Sequence, residues 1–254
     1  MLELFWQEGR GTYGVDRICG CMRRDGFPAS YGVVKRIMDQ KALKSIHCRR
    51  RQCSLTDSRK SRGNEYKNPT KDIEIDNPFQ VLSSDISYIR TKEGFDYLCQ
   101  VRDVHTNTVL AENQCATIKK ELVLQTIEMP KNRWRLPQDI IFYSDRGSQY
   151  TAKEVALLIS SYGWKQSFSR VGMPGDNSWS EGFFSILKKE IVHWKVYAIR
   201  EEARRTIFEY IEVFYNRQRA QKRLRYLSPV QYLNHYLDQS VLHFSSLTYC
   251  PLNR

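Results

Sequence analysis

The sequence predicts an α/β fold: a mixed five-stranded sheet with helices on both faces, preceded by a small helical unit. Three observations carry this. Between residues 79 and 168, apolar runs of strand length are separated first by turns and then by helical segments. Residues 13–38 hold two stretches with apolar residues at helical spacing, split by Asp25, Gly26, Phe27 and Pro28. The length of 254 residues suits one domain with a real core plus small appendages.

The formal charge is +12, and its distribution is uneven. Residues 1–70 carry 15 Lys+Arg against 7 Asp+Glu, residues 71–181 carry 13 against 15, and residues 182–254 carry 12 against 6. Basic flanks suit a polyanion whose counterions they displace, so DNA is the expected partner. The carboxylate-rich middle is where chemistry using acidic groups would sit. Seven cysteines, odd in number and unevenly spaced, point to a reduced compartment. With no secretory leader and no run of 18 apolar residues, the expectation is a cytoplasmic, nucleoid-associated protein without a membrane partner.

Element by element, Val15, Ile18, Cys19 and Met22 define a first helix, and Ser30 caps a second carrying Val33, Val34, Ile37 and Met38, with Lys35 and Arg36 on its polar side. Two short helices around a tight turn resemble a helix-turn-helix. Residues 44–70 are polar and basic, including Arg49, Arg50 and Arg51, and read as a linker able to follow a DNA backbone. A zinc site from Cys19, Cys21, His47, Cys48 and Cys53 is disfavoured, because the spacings do not match the usual pairs. From residue 79 come three strands in a meander, FQVLSSDISYIR, FDYLCQVRDV and NTVLAENQ. A helix from Thr117 to about Met129, stopped by Pro130, leads to the strand QDIIFY. Thr151 and Glu154 read as a capping box opening the helix EVALLISSY. WKQSF is a last short strand, and a helix follows from about Asn177 to Val192. Three antiparallel strands extended by crossover strands, with helices covering the sheet, is the ribonuclease H-like arrangement.

Three carboxylates fall at telling places: Asp85 in the first strand, Asp145 just past the fourth, and Glu181 in the first turns of the last helix, with 35 residues between Asp145 and Glu181. Hard oxygen ligands on rigid elements suit Mg²⁺ or Mn²⁺, and two such ions suit phosphoryl transfer. Glu181, Ser185 and Lys188 follow i, i+4, i+7, so an α-helix puts ligand and cation on one face. Asp103 is the competing acid. A three-residue loop of Lys92, Glu93 and Gly94 would pair Thr91 with Phe95, set Asp85 opposite Val101 and leave Asp103 on the face of Asp85; a two-residue loop would turn it away.

VLSSDISYI, FYSDRGSQYT and SRVGMPGDNSWSEGFFSILKKE resemble the catalytic blocks of OrfB-type bacterial insertion-sequence transposases, of the DDE superfamily that includes retroviral integrases. YGVDRI and YNRQRAQKRLRYLSPVQYL extend the likeness over roughly residues 13–235, with departures at Leu82, Tyr143, residues 173–175 and Gln221. The resemblance implies Asp85, Asp145 and Glu181 as the metal-holding catalytic triad, cleavage at transposon ends and strand transfer into target DNA. It also implies an upstream reading-frame product, or a fusion with it, as a partner, and a homo-oligomer assembled on DNA. DNA contacts are expected from Lys35, Arg36, Arg49, Arg50, Arg51, Arg146, Lys188, Lys189 and Arg219. The expected divisions are 1–45 (helix-turn-helix-like), 46–76 (basic linker), 77–195 (catalytic core) and 196–254 (helical basic extension). Two rivals are a nuclease or resolvase of the same fold that does not join ends, and a non-catalytic helix-turn-helix regulator.

Overall fold

Val81–Thr91, Gly94–Asp103 and Val109–Cys115 form strands β1, β2 and β3, paired antiparallel in chain order in the computed structural model, which describes residues 1–48, 74–169 and 178–247, the side chains of 48, 178, 180, 181 and 240–247 excepted. Strands β4 (Ile141–Ser144) and β5 (Lys165–Phe168) extend the sheet in parallel beyond β1, in the order β3-β2-β1-β4-β5. Parallel neighbours need crossovers. Helices α4 (Lys120–Arg133) and α5 (Lys153–Ser161) supply them.

Alternation along the strands sends two apolar sets to two faces. Leu82, Cys99, Val101 and Phe142 pack under α4 and α5 through Val123, Ile127, Val155 and Ile159. Ile89, Leu98 and Val109 pack on the other face under Phe183 and Leu187 of α6 (Ser178–Leu187) and Ala203 and Ile207 of α7 (Arg200–Glu209). The expected five-stranded mixed sheet with helices on both faces is therefore what forms.

The hairpin settles the register. Thr91 pairs with Gly94, so the turn has two residues, Lys92 and Glu93. The Thr91 hydroxyl closes it, donating to Gly94 O at 2.7 Å and accepting from Glu93 N at 3.2 Å. Asp85 consequently lies opposite Gln100, where a three-residue loop would have brought Val101. Asp103 pairs with Leu82, three residues from Asp85, and so belongs to the opposite face.

Three helix boundaries depart from expectation. Helix α4 runs through Pro130 to Arg133, because the buried proline ring packs in the core and offsets the missing backbone hydrogen bond. The capping box of α5 does not form. Glu154 instead pairs with Lys120 at 2.5 Å, and Thr151 bonds back to Gly147 O. The α-helical turns of α6 end at Leu187, and a π-helical stretch, Lys188–Val192, continues them. A second π-helical stretch, Tyr210–Tyr215, prolongs α7.

The N-terminal unit has three helices, α1 (Leu2–Glu8), α2 (Val15–Arg24) and α3 (Tyr31–Gln40), of which α1 was not foreseen. Ser30 accepts a bond from Val33 N as the cap of α3. This unit packs on residues 217–226: Tyr13 Oη donates to Gln218 O and accepts from Ala220 N at 2.6 Å. Gly20 lies so close to the Tyr226 ring that a Cβ there would come within 2.0 Å of it. Helix α8 (Pro229–Leu247) is the last described element. Among the described residues no helix is long and apolar enough to cross a membrane.

Where the last part of α6, the N-terminal unit and the C-terminal extension meet, Glu190 is buried and accepts from four groups. Arg219 reaches it through Nη2 at 2.6 Å and Nε at 3.0 Å, Tyr210 Oη donates at 2.7 Å, and His47 Nε2 lies 2.7 Å away. Burial alone would raise the Glu190 acid, but His47, Arg219 and Tyr210 win and hold it at about 2 against an ordinary 4.5.

Removing one partner of this pair leaves a buried charge, so Arg219→Met should cost about 3–5 kcal/mol, whereas Glu190→Leu with Arg219→Met should recover most of that loss. Urea unfolding of the three proteins checks it; equal losses for the single and double variants would refute the pairing. A native value below the unfolded one contributes stability that is whole above about pH 4.5 and fades as pH falls towards 2, here about 3 kcal/mol. Acid titration by circular dichroism should show that component in the wild type and not in the double variant.

Candidate active site

Asp85 sits at the middle of β1, half-buried, on the face covered by α6 and α7. Strand β4 pairs with β1 only through Val81–Ile141, Leu82–Phe142 and Ser83–Tyr143. The same register counted on by two residues leads to Asp85 on β1 and to Asp145, the residue that follows the last one of β4. Beyond Ser144 the chain leaves the sheet, so the two aspartates mark the corner where β4 stops and β1 goes on.

The loop after β4 is built to hold Asp145. Asp145 Oδ1 accepts from Gly147 N at 3.0 Å, and a Cβ on Gly147 would stand 3.1 Å from that same oxygen. Tyr150 pins the far end: its hydroxyl meets Ser84 Oγ at 2.8 Å, one residue from Asp85, while Gln166 Nε2 donates to Tyr150 O. Thus the Asp-Arg-Gly stretch is both a turn and the mount of a placed carboxylate.

Glu181 lies early in α6, and its side chain is outside the described residues. What fixes that turn is described two residues earlier. The guanidinium of Arg102, buried on β2, donates through Nη2 to Trp179 O, and the Trp179 ring meets Tyr143 edge-on at 5.4 Å. Arg102 pairs with Ser83 and so belongs to the face of Asp85. Neither Arg102 nor Trp179 was singled out from sequence; the available signal was a charged residue inside a strand whose neighbours read as core.

Asp103, the competing acid, is fully buried and committed. It accepts from Phe79 N at 2.9 Å, Thr106 N at 2.8 Å and Thr106 Oγ1 at 2.6 Å, closing the β2–β3 turn.

The expected DNA contacts divide by exposure. Lys35 and Arg36 are exposed on α3, Lys35 pairing with Asp39 at 2.5 Å. Arg146 is exposed beside Asp145, bonding Ser169 O through Nε, and Lys189 is exposed after α6. Lys188 begins the π-helical stretch, and its ammonium stands 4.8 Å from the centre of the Tyr88 ring. Arg219 must be withdrawn from the group, since it is buried and spent on Glu190. Arg49, Arg50 and Arg51 lie outside the described residues.

Among the described residues no three His, Cys, Asp or Glu side chains gather, which leaves the Asp85 and Asp145 pair to be judged by its chemistry. Both offer hard oxygens from rigid backbone, and Cys99 belongs to the other face of the sheet, so the corner fits a hard divalent cation better than a soft one.

Two models described as integrase core domain match residues 76–174 and 181–237, and one described as an HTH-like domain matches residues 3–52. The chain is 38% identical over 159 residues to the uncharacterized 31 kDa protein of insertion element IS600 from Shigella sonnei, covering 63% of this chain and 58% of that one. It is 29% identical to the transposase for insertion sequence element IS904 of Lactococcus lactis, over 90% of each chain. It is also 29% identical to the transposase InsF for insertion sequence IS3A of Escherichia coli, over 87% of this chain and 77% of that one. The catalytic core domain of BIV integrase superposes with a TM-score of 0.46 at 12% identity, over 65% of this chain and 99% of that one. The chain belongs to the integrase-core, DDE-type transposases of bacterial insertion sequences. Cores of this type are metal-dependent.

Because Asp103 is structural, Asp103→Ala should lower stability by about 2–4 kcal/mol, having orphaned three donors, and leave Mn²⁺ affinity unchanged. Thermal melting and Mn²⁺ titration of the purified variant test this; a lost metal site with an intact melting curve would move Asp103 into the centre.

Proposed function

We propose that this chain cuts DNA at the ends of an insertion element and joins the freed 3′-hydroxyl to target DNA, with Asp85, Asp145 and Glu181 as its catalytic carboxylates. The observation that supports the reading is the parallel β1–β4 pairing, whose register, counted on past Ser83 and Tyr143, leads to Asp85 and Asp145. The three carboxylates would hold two Mg²⁺ or Mn²⁺ ions. Such ions, when bound, activate the attacking oxygen and stabilise the leaving one.

In the first displacement a water oxygen bonds to phosphorus and the phosphorus–O3′ bond breaks, leaving a 3′-hydroxyl. In the second, that hydroxyl attacks a target phosphodiester and releases a target 3′-oxygen. Neither step needs a covalent bond to the protein, so its residues place and shield. Arg102 and Trp179 hold the first turn of α6 against the sheet, and Tyr150 keeps the Asp145 loop against β1. Arg146, Lys188 and Lys189 would hold phosphates next to the carboxylates. Lys35 and Arg36 on α3 would grip duplex DNA, helped by Arg49, Arg50 and Arg51. A homo-oligomer on DNA and an upstream reading-frame product, separate or fused, are the proposed protein partners, and the cytoplasmic nucleoid the proposed place of action.

Asp85→Asn, Asp145→Asn and Glu181→Gln should each lower cleavage and joining by at least a thousandfold while DNA binding persists with its salt dependence. Gel-based cleavage and strand-transfer assays with Mn²⁺, on the chain alone and fused to its upstream partner, test this. Strand transfer at the wild-type level by any one variant rejects the triad, and cutting without joining would favour the nuclease.

A further inference from the structure

Gln100 occupies the middle of β2, opposite Asp85 on one side and Glu112 of β3 on the other. It is fully buried, and neither Oε1 nor Nε2 of its amide has a hydrogen-bond partner among the described residues. Interiors rarely leave such groups unpaired, since each orphan costs about 1–3 kcal/mol. A leucine or methionine would fill the position without that cost, so the fold gives no reason for an amide here. The neighbours do. Cross-strand partners stand about 4.5–5.5 Å apart at Cβ, within reach of a glutamine, and Asp85 is the acid across from it on the same face.

We infer that Gln100 is a positioning residue for Asp85, its amide N–H donating to the Asp85 carboxylate and fixing that carboxylate's rotation when a divalent cation binds. The inference rests on the reading of Asp85 as a metal ligand. A carboxylate ligand held by such a bond binds its metal more tightly, and losing the bond typically costs 10–100-fold in affinity.

The test uses the intact chain, with and without duplex DNA, and measures Mn²⁺ binding by the electron paramagnetic resonance signal of the unbound ion. Gln100→Met and Gln100→Leu, both free of polar atoms and close in volume, are compared with Asp85→Asn and wild type. The expected result is Mn²⁺ affinity at least tenfold weaker in both Gln100 variants and the site lost in Asp85→Asn. Metal-free melting temperatures of the Gln100 variants should equal or exceed that of the wild type, because an orphaned amide is gone. If either variant folds and keeps wild-type Mn²⁺ affinity while Asp85→Asn loses the site, the role of Gln100 is refuted and the metal reading stands. If Asp85→Asn also keeps wild-type affinity, the metal reading itself falls.

Discussion

Glu190 holds together the segments that the rest of the arrangement depends on. It stands in the π-helical stretch following α6, and its partners come from the segment after the N-terminal unit (His47) and the C-terminal extension (Tyr210 and Arg219). An ionised carboxylate is costly to bury, and it is retained only where donors saturate it. Here they do, so each of the three segments fixes the other two. The helix that brings Glu181 is thereby anchored at its start by Arg102 on Trp179 and at its end by Arg219 on Glu190. An error at either anchor would tilt the intervening turns, and ligand placement tolerates only fractions of an ångström.

A second constraint is parity. Because side chains alternate along a strand, one residue more or less in the β1–β2 turn exchanges the two faces of the whole hairpin. With two turn residues, Asp85, Gln100 and Glu112 form a row beneath α6 and α7, while Asp103 joins Leu82 and Val101 on the other face. Thr91, by closing the turn with its own hydroxyl, decides which aspartate sees the site.

The meander, the crossover helices and the place of Asp145 were legible because each rests on local chemistry: apolar runs of strand length, a glycine next to an aspartate, helical periodicity. The features that escaped depend on distant residues. Helix α4 passes Pro130 because burial there outweighs a lost hydrogen bond. The capping box failed because Lys120, 34 residues away in sequence, takes Glu154. The π-helical stretch after Leu187 carries Glu190, whose partner Arg219 is distant in sequence. Arg219 itself read as one more cation in a basic turn, since nothing near it in sequence reveals the carboxylate it meets. Its neighbours Arg217, Lys222, Arg223 and Arg225 are exposed, as a basic turn predicts.

That misreading shows how net charge should be used. The basic residues do not all face outward: in the C-terminal flank Arg204 meets the buried Asp96 at 2.7 Å and Arg219 meets Glu190, and in the middle segment Arg102 lies buried between the sheet and α6. All three belong to the face that carries Asp85. Three guanidiniums, of which only Arg219 was expected to contact DNA, are spent inside, two of them in charge-assisted bonds to buried acids. The cations left for a polyanion are those with exposed side chains around that face and on α3. The two arginine–acid pairs cancel within the net charge of +12, so burial changes which cations can meet DNA more than it changes their excess.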